Sequence, residues 1–379
     1  MRYKALDSLR GIAAFVVVFA HCYQAIPETI RSAKPDLDFV LWSFGELGRF
    51  SVLMFFVLSG FVLSLPYLKG SSHNYRAYLV RRIWRLYPPY AVAVLVSALF
   101  CGLFADPSFW VGEWQHAPSG TLIASHLLMT GVGIDSTRLD GPIWSLIVEF
   151  RVSLVFPLLV MAVSRFDWKA VGCGVLFALG CYELNAARGA SGETLSHVGQ
   201  DALGTLLVTG RYVMLFLFGI FTAARSEQIK ATLVKIPNSA HVLICAGAVA
   251  AHLVIVHWNH EKSIIPDIVY GCMSAYLIAS GLAFAPLAKV LSARLVVWLG
   301  DISYSLYLIH IPVLWGVLYG IHGRVPLRTS IAIAVPVIFI CAHLMNRVVE
   351  RPSTELGRKI ARRISERAPR PAVSAERQS

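Results

Sequence analysis

Ten mostly apolar stretches run through this chain. Each has about the 17–25 residues that an α-helix needs to cross the hydrocarbon core of a bilayer. They lie near 8–26, 50–68, 88–105, 143–163, 168–184, 203–223, 240–257, 267–285, 301–319 and 329–347, the fifth being the weakest. Inside lipid every backbone polar group must be satisfied within the protein, which restricts spanning structures to helices and closed barrels. Runs of this length with no strict alternation select helices. A further run at 121–130 is too short to span and reads as re-entrant or interfacial. Only 15% of the residues are charged and 56% are hydrophobic, against about 25% charged in soluble domains. A disordered chain, a small disulfide scaffold and an ordinary cytosolic enzyme are thereby excluded. The expected fold is all-α, a polytopic integral membrane protein of about ten transmembrane helices.

Charge gives the orientation. The formal net charge is +12, but the basic residues sit between the apolar runs and in the tail. That is the pattern of loops facing anionic lipid rather than of a nucleic-acid surface. The N-terminus, the 69–87, 164–169, 224–239 and 286–300 connections and the tail together hold 24 of the 34 Lys and Arg. The alternate connections hold eight: Arg31, Lys34, Arg49, Arg138, Arg188, Lys262, Arg324 and Arg328. By the positive-inside rule both termini are cytoplasmic, which an even number of spans satisfies. Residues 1–350 read as one membrane domain and 351–379 as a basic, flexible cytoplasmic tail. The first apolar run, 11–20, has no small-x-small cleavage site after it and reads as an uncleaved helix. The seven cysteines form no CxxC and lie mostly within apolar runs. They read as small buried hydrophobes, with neither a disulfide framework nor a metal site.

Ionisable residues within spans are costly, about 2.5–3.5 kcal/mol each at a helix centre, so His21, Glu149, Arg151, Arg211 and His310 need a reason. Arg10 and His21 are about three turns apart on one helical face, roughly 16 Å along the axis, and Asp7 is placed to pair with Arg10. Arg10 reads either as an interface anchor or as a site residue. His21 reads either as a helix–helix hydrogen bond or as a general base near neutral pH. In the fourth span Ser145, Glu149 and Ser153 share a face, with Trp144 beside them and Pro142 at the first turn. Glu149 needs a cation, and Arg211 in the sixth span is expected to neutralise it. Arg151 reads mainly as part of a structural knot. In the ninth span Tyr307 and His310 share a face, with Tyr304 one turn earlier. Arg82 and Arg85 are three residues apart beside Arg81, Trp84 and Tyr87. They suit either phosphate binding by guanidinium forks or anchoring at the membrane interface.

Six separated segments resemble the membrane-bound acyltransferase-3 family, in that family's order and over nearly the whole chain. They are LDSLRGIAAFVVVFAH at 6–21, FFVLSGFVLS at 55–64, RRIWRLYP at 81–88, GPIWSLIVEF at 141–150, YSLYLIHIP at 304–312 and ERP at 350–352. The resemblance implies transfer of an acyl group, usually acetyl from acetyl-CoA, to a hydroxyl of a carbohydrate or glycoconjugate at the bacterial inner membrane. It implies no tightly bound cofactor and no metal. The partners are acyl-CoA as donor substrate, a carbohydrate acceptor and the bilayer, with no nucleic acid. His21 matches the family's essential histidine and Arg10 its motif partner. Arg82 and Arg85 match an arginine pair tied to activity, here through the donor, and Glu149 and Trp144 match the fourth-span element. Asp7, Ser145, Arg211, Tyr307 and His310 are expected as supporting or substrate-binding residues. Glu149 or Tyr307 would orient the His21 ring, and Arg211 or a backbone dipole would face the oxyanion. The rival reading is a proton-coupled transporter or flippase, which buried Glu, Arg and His also suit. The absence of an inverted repeat weighs against it.

Overall fold

The structure, a computed structural model, describes residues 4–31, 35–70, 74–109, 114–133, 138–257 and 263–367. Arg2, Lys34, Lys262, Arg370 and Arg377 of the charge pattern lie outside the described residues. The helices are α1 (Lys4–Gln24), α2 (Glu28–Arg31), α3 (Pro35–Leu68), α4 (Tyr75–Phe104), α5 (Gly120–Leu127), α6 (Ile143–Phe166), α7 (Trp168–Ala187) and α8 (Glu193–Ser196). They continue as α9 (Ala202–Ala224), α10 (Ser226–Leu233), α11 (Asn238–His257), α12 (Ile265–Ala283), α13 (Ala285–Leu291), α14 (Arg294–Gly320) and α15 (Leu327–Met345). A π turn at Asn346–Glu350 leads into α16 (Arg351–Arg367). Among the described residues ten helices are long and apolar enough to cross a membrane, one for each expected span. No strand occurs among them, only an isolated bridge between Val132 and Gly199. Exposed leucines and phenylalanines such as Leu158, Leu176, Phe177, Leu206 and Leu243 cover the bundle's outside. In water such a surface would drive association; in lipid it is solvated.

Two helices start earlier than their apolar runs. α3 begins at Pro35 rather than near 50, which places Arg49 inside a helix and not in a loop. α4 begins at Tyr75 rather than near 88, because Asn74 caps it: the side-chain oxygen accepts from the backbone NH of Arg76 at 2.9 Å and of Ala77 at 3.3 Å. Arg81, Arg82 and Arg85 therefore ride on one rigid helix.

In lipid, apolar contact alone does not drive helices together, so close approach through small residues matters. α1 packs on α14 and α3, and α3 packs on α9. At the α1–α14 crossing a Cβ on Gly11 would strike the backbone of Gly300, and one on Gly300 would strike Asp7. At the α3–α9 crossing Gly60 lies against the Phe216 carbonyl and Gly219 against that of Val57. These contacts set the spacing of α1 and α14, which carry His21 and His310. Gly300→Val should force the pair apart, at about 3 kcal/mol, the upper end of overpacking costs. Its expected signature is a lower unfolding temperature in detergent and loss of monodispersity, and a wild-type melting curve would contradict this account of the crossing.

The run near 121–130 forms only a short helix, α5, packed against α4. α5 is capped by Ser119, and its last carbonyls accept from the middle of α4: Tyr87 Oη to Leu127 O at 3.0 Å and Tyr90 Oη to His126 O at 2.5 Å. Beyond α5 the chain unwinds through left-handed Met129 and Gly131. Buried irregular backbone needs internal partners. Arg151 supplies them, donating to Thr130 O at 2.5 Å and to Met129 O at 3.4 Å, with its other nitrogen near Thr205 O and Thr209 Oγ1. Arg151 is thus the structural knot that its sequence position suggested.

The segment read as a basic tail is helical as far as Arg367 and packs along α4. Gly357 permits this, since a Cβ there would strike the Trp84 side chain. Residues 368–379 lie outside the described residues.

Candidate active site

A cavity of about 220 Å³ opens among α1, α3, α4, α6, α14 and α16, at the bundle end that carries the start of α4 and the end of α3. Its wall along α3 runs from Phe55 to Tyr67, about 18 Å by helical rise. Phe55, Phe56, Val62, Leu63 and Leu146 make the shaft apolar, while Arg10, Arg81, Arg82, Arg85 and Arg358 line it with guanidinium groups. Ser145, Glu149, Tyr304 and Tyr307 complete the lining on α6 and α14.

Glu149 is neutralised from α4 and not by Arg211. Arg82 Nη2 donates to Glu149 Oε1 at 2.7 Å, and Ser59 Oγ donates to the same oxygen at 2.9 Å. Arg82 also holds Ser153 Oγ, from Nε at 3.1 Å and Nη2 at 2.9 Å. The shared face of Ser145, Glu149 and Ser153 is therefore real, and Arg82, only 5% exposed, is committed to it. Arg211 instead donates from Nε to Asp267 Oδ2 at 2.7 Å, while Arg49 holds Asp267 Oδ1 at 2.7 Å. Asp267 is fully buried, and Arg211 stacks on Tyr182 and Tyr212. Removing one partner of such a buried set costs about 3–5 kcal/mol. This second knot ties α3, α9 and α12 together and takes Arg211 away from both roles expected of it, beside Glu149 and at an oxyanion.

Trp144 faces inward. It is buried among Phe56, Tyr212 and His197, the His197 ring centroid being 4.6 Å away. Burial, with the charges of Arg49 and Arg211 nearby, pushes His197 down to about 3, so it is a neutral packing group at physiological pH. Asp140, just before α6, is also buried, and desolvation raises its carboxyl well above the usual range. Tyr304 donates to Leu86 O at 2.7 Å. Trp84 packs on α16 and Tyr87 reaches Leu127 O, so neither adds a flat face to the cavity.

Arg10 pairs with Asp7 at 3.2 Å and lines the cavity; His21, three turns on, does not. Its contacts lie on α14. His21 Nδ1 is 2.9 Å from Val17 O and 3.3 Å from His310 Nε2. His310 Nδ1 is 2.7 Å from Tyr307 O. Carbonyl oxygens only accept, so both Nδ1 atoms carry the proton. His310 Nε2 then offers its lone pair to His21 Nδ1–H, and the His21 lone pair is left on Nε2. The ring is oriented by fully buried His310, not by Glu149 or Tyr307. The Tyr307 hydroxyl is bound 2.7 Å from Ser145 Oγ and donates to Pro142 O at 2.9 Å. It thus ends the cavity, with its ring 5.9 Å from that of His310.

The sequence reading missed Asp267, Arg49, Ser59 and Arg358. Arg49 reads as part of a connection, and Asp267 is the first residue of the apolar run at 267–285, where nothing in the sequence names its partner. Ser59 carried a weak signal as the one polar side chain in FFVLSGF. Among the described residues no group of three metal-binding side chains converges.

A family described as an acyltransferase domain matches residues 3–346. The acyltransferase MdmB of Streptomyces mycarofaciens is 27% identical over 98% of this chain and 96% of its own length. The peptidoglycan O-acetyltransferase OatA of Listeria monocytogenes is 22% identical over 93% of this chain, which spans 56% of that protein. No solved structure matches the chain.

Proposed function

The chain belongs to this acyltransferase family, as a multi-pass membrane enzyme, and from that premise we propose that it carries an acyl group, acetyl in the first instance, from acyl-CoA to a carbohydrate hydroxyl. The basic end of the bundle, where the cavity opens, faces the cytoplasm by the positive-inside rule, and the membrane is the bacterial inner one. One observation carries this reading: an arginine-lined, apolar shaft stops at Tyr307, and just past Tyr307 stands a histidine pair with one free lone pair. A charged nucleotide head with a slender thioester arm fits a charged mouth on an apolar shaft.

In the reaction the acceptor hydroxyl gives its proton to His21 Nε2 as its oxygen attacks the thioester carbonyl. The tetrahedral intermediate collapses, the carbon–sulfur bond breaks, and the thiolate leaves as free thiol with the proton from His21. Tyr307 and Ser145 must part for the thioester to reach His21. Glu149 holds Arg82 in place and has no part in the proton transfer. In this reading Arg82 shapes the shaft, while phosphate contacts fall to the guanidinium groups that lack a carboxylate.

The test is thiol release from acetyl-CoA by purified protein in nanodiscs, scanned over glycan acceptors. Acceptor-dependent release is expected. CoA-independent counterflow of a labelled glycan, with no thiol from any acceptor, would replace the enzyme by a transporter.

A further inference from the structure

The family match ends at residue 346, yet α16 supplies two of the cavity's lining residues, Thr354 and Arg358. The backbone of α16 is pressed against Trp84 at Gly357, one residue before Arg358. An ion pair from Arg351 to Asp301 at 3.9 Å ties its first turn to α14. Arg358, which is exposed, is thereby set at the mouth of the cavity that Arg81 and Arg85 of α4 also line.

The charge at this mouth is unbalanced. Of the five arginines lining the cavity, Arg10 is paired with Asp7 and Arg82 with Glu149. Among the described residues Arg81, Arg85 and Arg358 make no ion pair, and Glu149 is the one carboxylate lining the cavity. Three guanidinium groups line the cavity beyond the two held in ion pairs, and this excess of positive charge focuses potential at the opening. Guanidinium forks match phosphate oxygens. The mouth is wet, since Arg358 is exposed, so phosphates docked there stay partly hydrated while an apolar arm enters the shaft.

We propose that α16, outside the matched family domain, forms one wall of a phosphate site in which Arg358 acts with Arg81 and Arg85 on the phosphates of the CoA donor. This rests on the acyl-CoA reading above and adds a binding element to it. The same chemistry would also suit the phosphate of an anionic lipid headgroup.

The experiment is titration of CoA into full-length protein in phosphatidylcholine nanodiscs, for wild type, Arg358→Ala, Arg358→Lys and Arg363→Ala. Binding needs no acceptor, so it reads the site alone. Arg358→Ala is expected to weaken CoA about tenfold, as loss of one charge-assisted phosphate contact does. Arg358→Lys should recover part of this. Arg363→Ala, on the exposed face of α16 away from the cavity, should bind as wild type. Equal affinity of wild type and Arg358→Ala would overturn the site, and so would an equal loss in Arg363→Ala, which would reduce the effect to bulk charge. A difference confined to discs containing phosphatidylglycerol would assign Arg358 to a lipid instead. A folded wild type that binds no CoA would remove the donor reading as a whole, whereas CoA binding indifferent to Arg358 would remove only the α16 wall.

Discussion

His21→Ala is expected to lower kcat for acyl transfer by about 10³-fold, within the range that loss of a positioned general base produces. The case is geometric. His21 is the ionisable side chain on α1 whose Nε2 is left without a partner, because Val17 O and His310 fix the proton on Nδ1. Arg10, on the same face, lies roughly 16 Å closer to the basic end. Removing the imidazole should therefore spare donor binding: CoA affinity is expected to stay within about twofold of wild type, since no binding contact is removed. That split separates loss of a base from loss of the fold, and His21→Gln, which keeps bulk and polarity, guards against collapse of the α1–α14 contact. The measurement is thiol release with a working acceptor beside a CoA titration on the same preparation. Wild-type turnover by folded His21→Ala would mean that the proton leaves by another group.

Much of this architecture is legible in the chain because membrane spans are written in hydropathy. All ten are found near their expected places, and the i, i+4 face of Ser145, Glu149 and Ser153 forms as helical geometry requires. Which buried charge meets which is not written there. Glu149 has two buried arginines available to it, and only the crossing of α4 over α6 selects Arg82 rather than Arg211. The partner of Arg211 stayed hidden for a related reason: Asp267 stands at the very start of an apolar run, and Arg49, which completes the set, counts as loop charge. The segment near 121–130 is legible as too short to span, but its anchoring by Arg151 depends on three stretches of chain converging. The basic tail is legible in part. Its arginines read as solvated charge and the described ones up to Arg363 are exposed, while the helical spacing of Ser353, Gly357 and Ala361 places a small-residue stripe against α4.

His310→Leu should cost about 10²-fold in kcat with the donor KM unchanged, the pattern of a positioning residue that touches neither substrate. His310 Nε2 can receive His21 Nδ1–H only because Tyr307 O holds the proton on His310 Nδ1. Leucine keeps the volume and removes one of the two acceptors, so Val17 O alone holds the proton on His21 Nδ1 and the Nε2-protonated tautomer, which cannot serve as the base, gains population. It also withdraws the lone pair that stabilises the imidazolium formed when His21 takes the acceptor's proton. A structural role alone would not distinguish leucine from glutamine. The positioning role does, because the glutamine Oε1 can occupy nearly the place of Nε2 and accept from His21. His310→Gln is therefore expected to recover about tenfold of the loss, about one hydrogen bond's worth. Histidine ¹⁵N spectra of the wild type should report both rings as Nδ1-protonated, and the His310→Leu spectrum should show the His21 tautomers mixed. Equal activity of the leucine and glutamine variants, with an unchanged His21 spectrum, would reduce the contact to packing and leave Val17 O alone to orient the base.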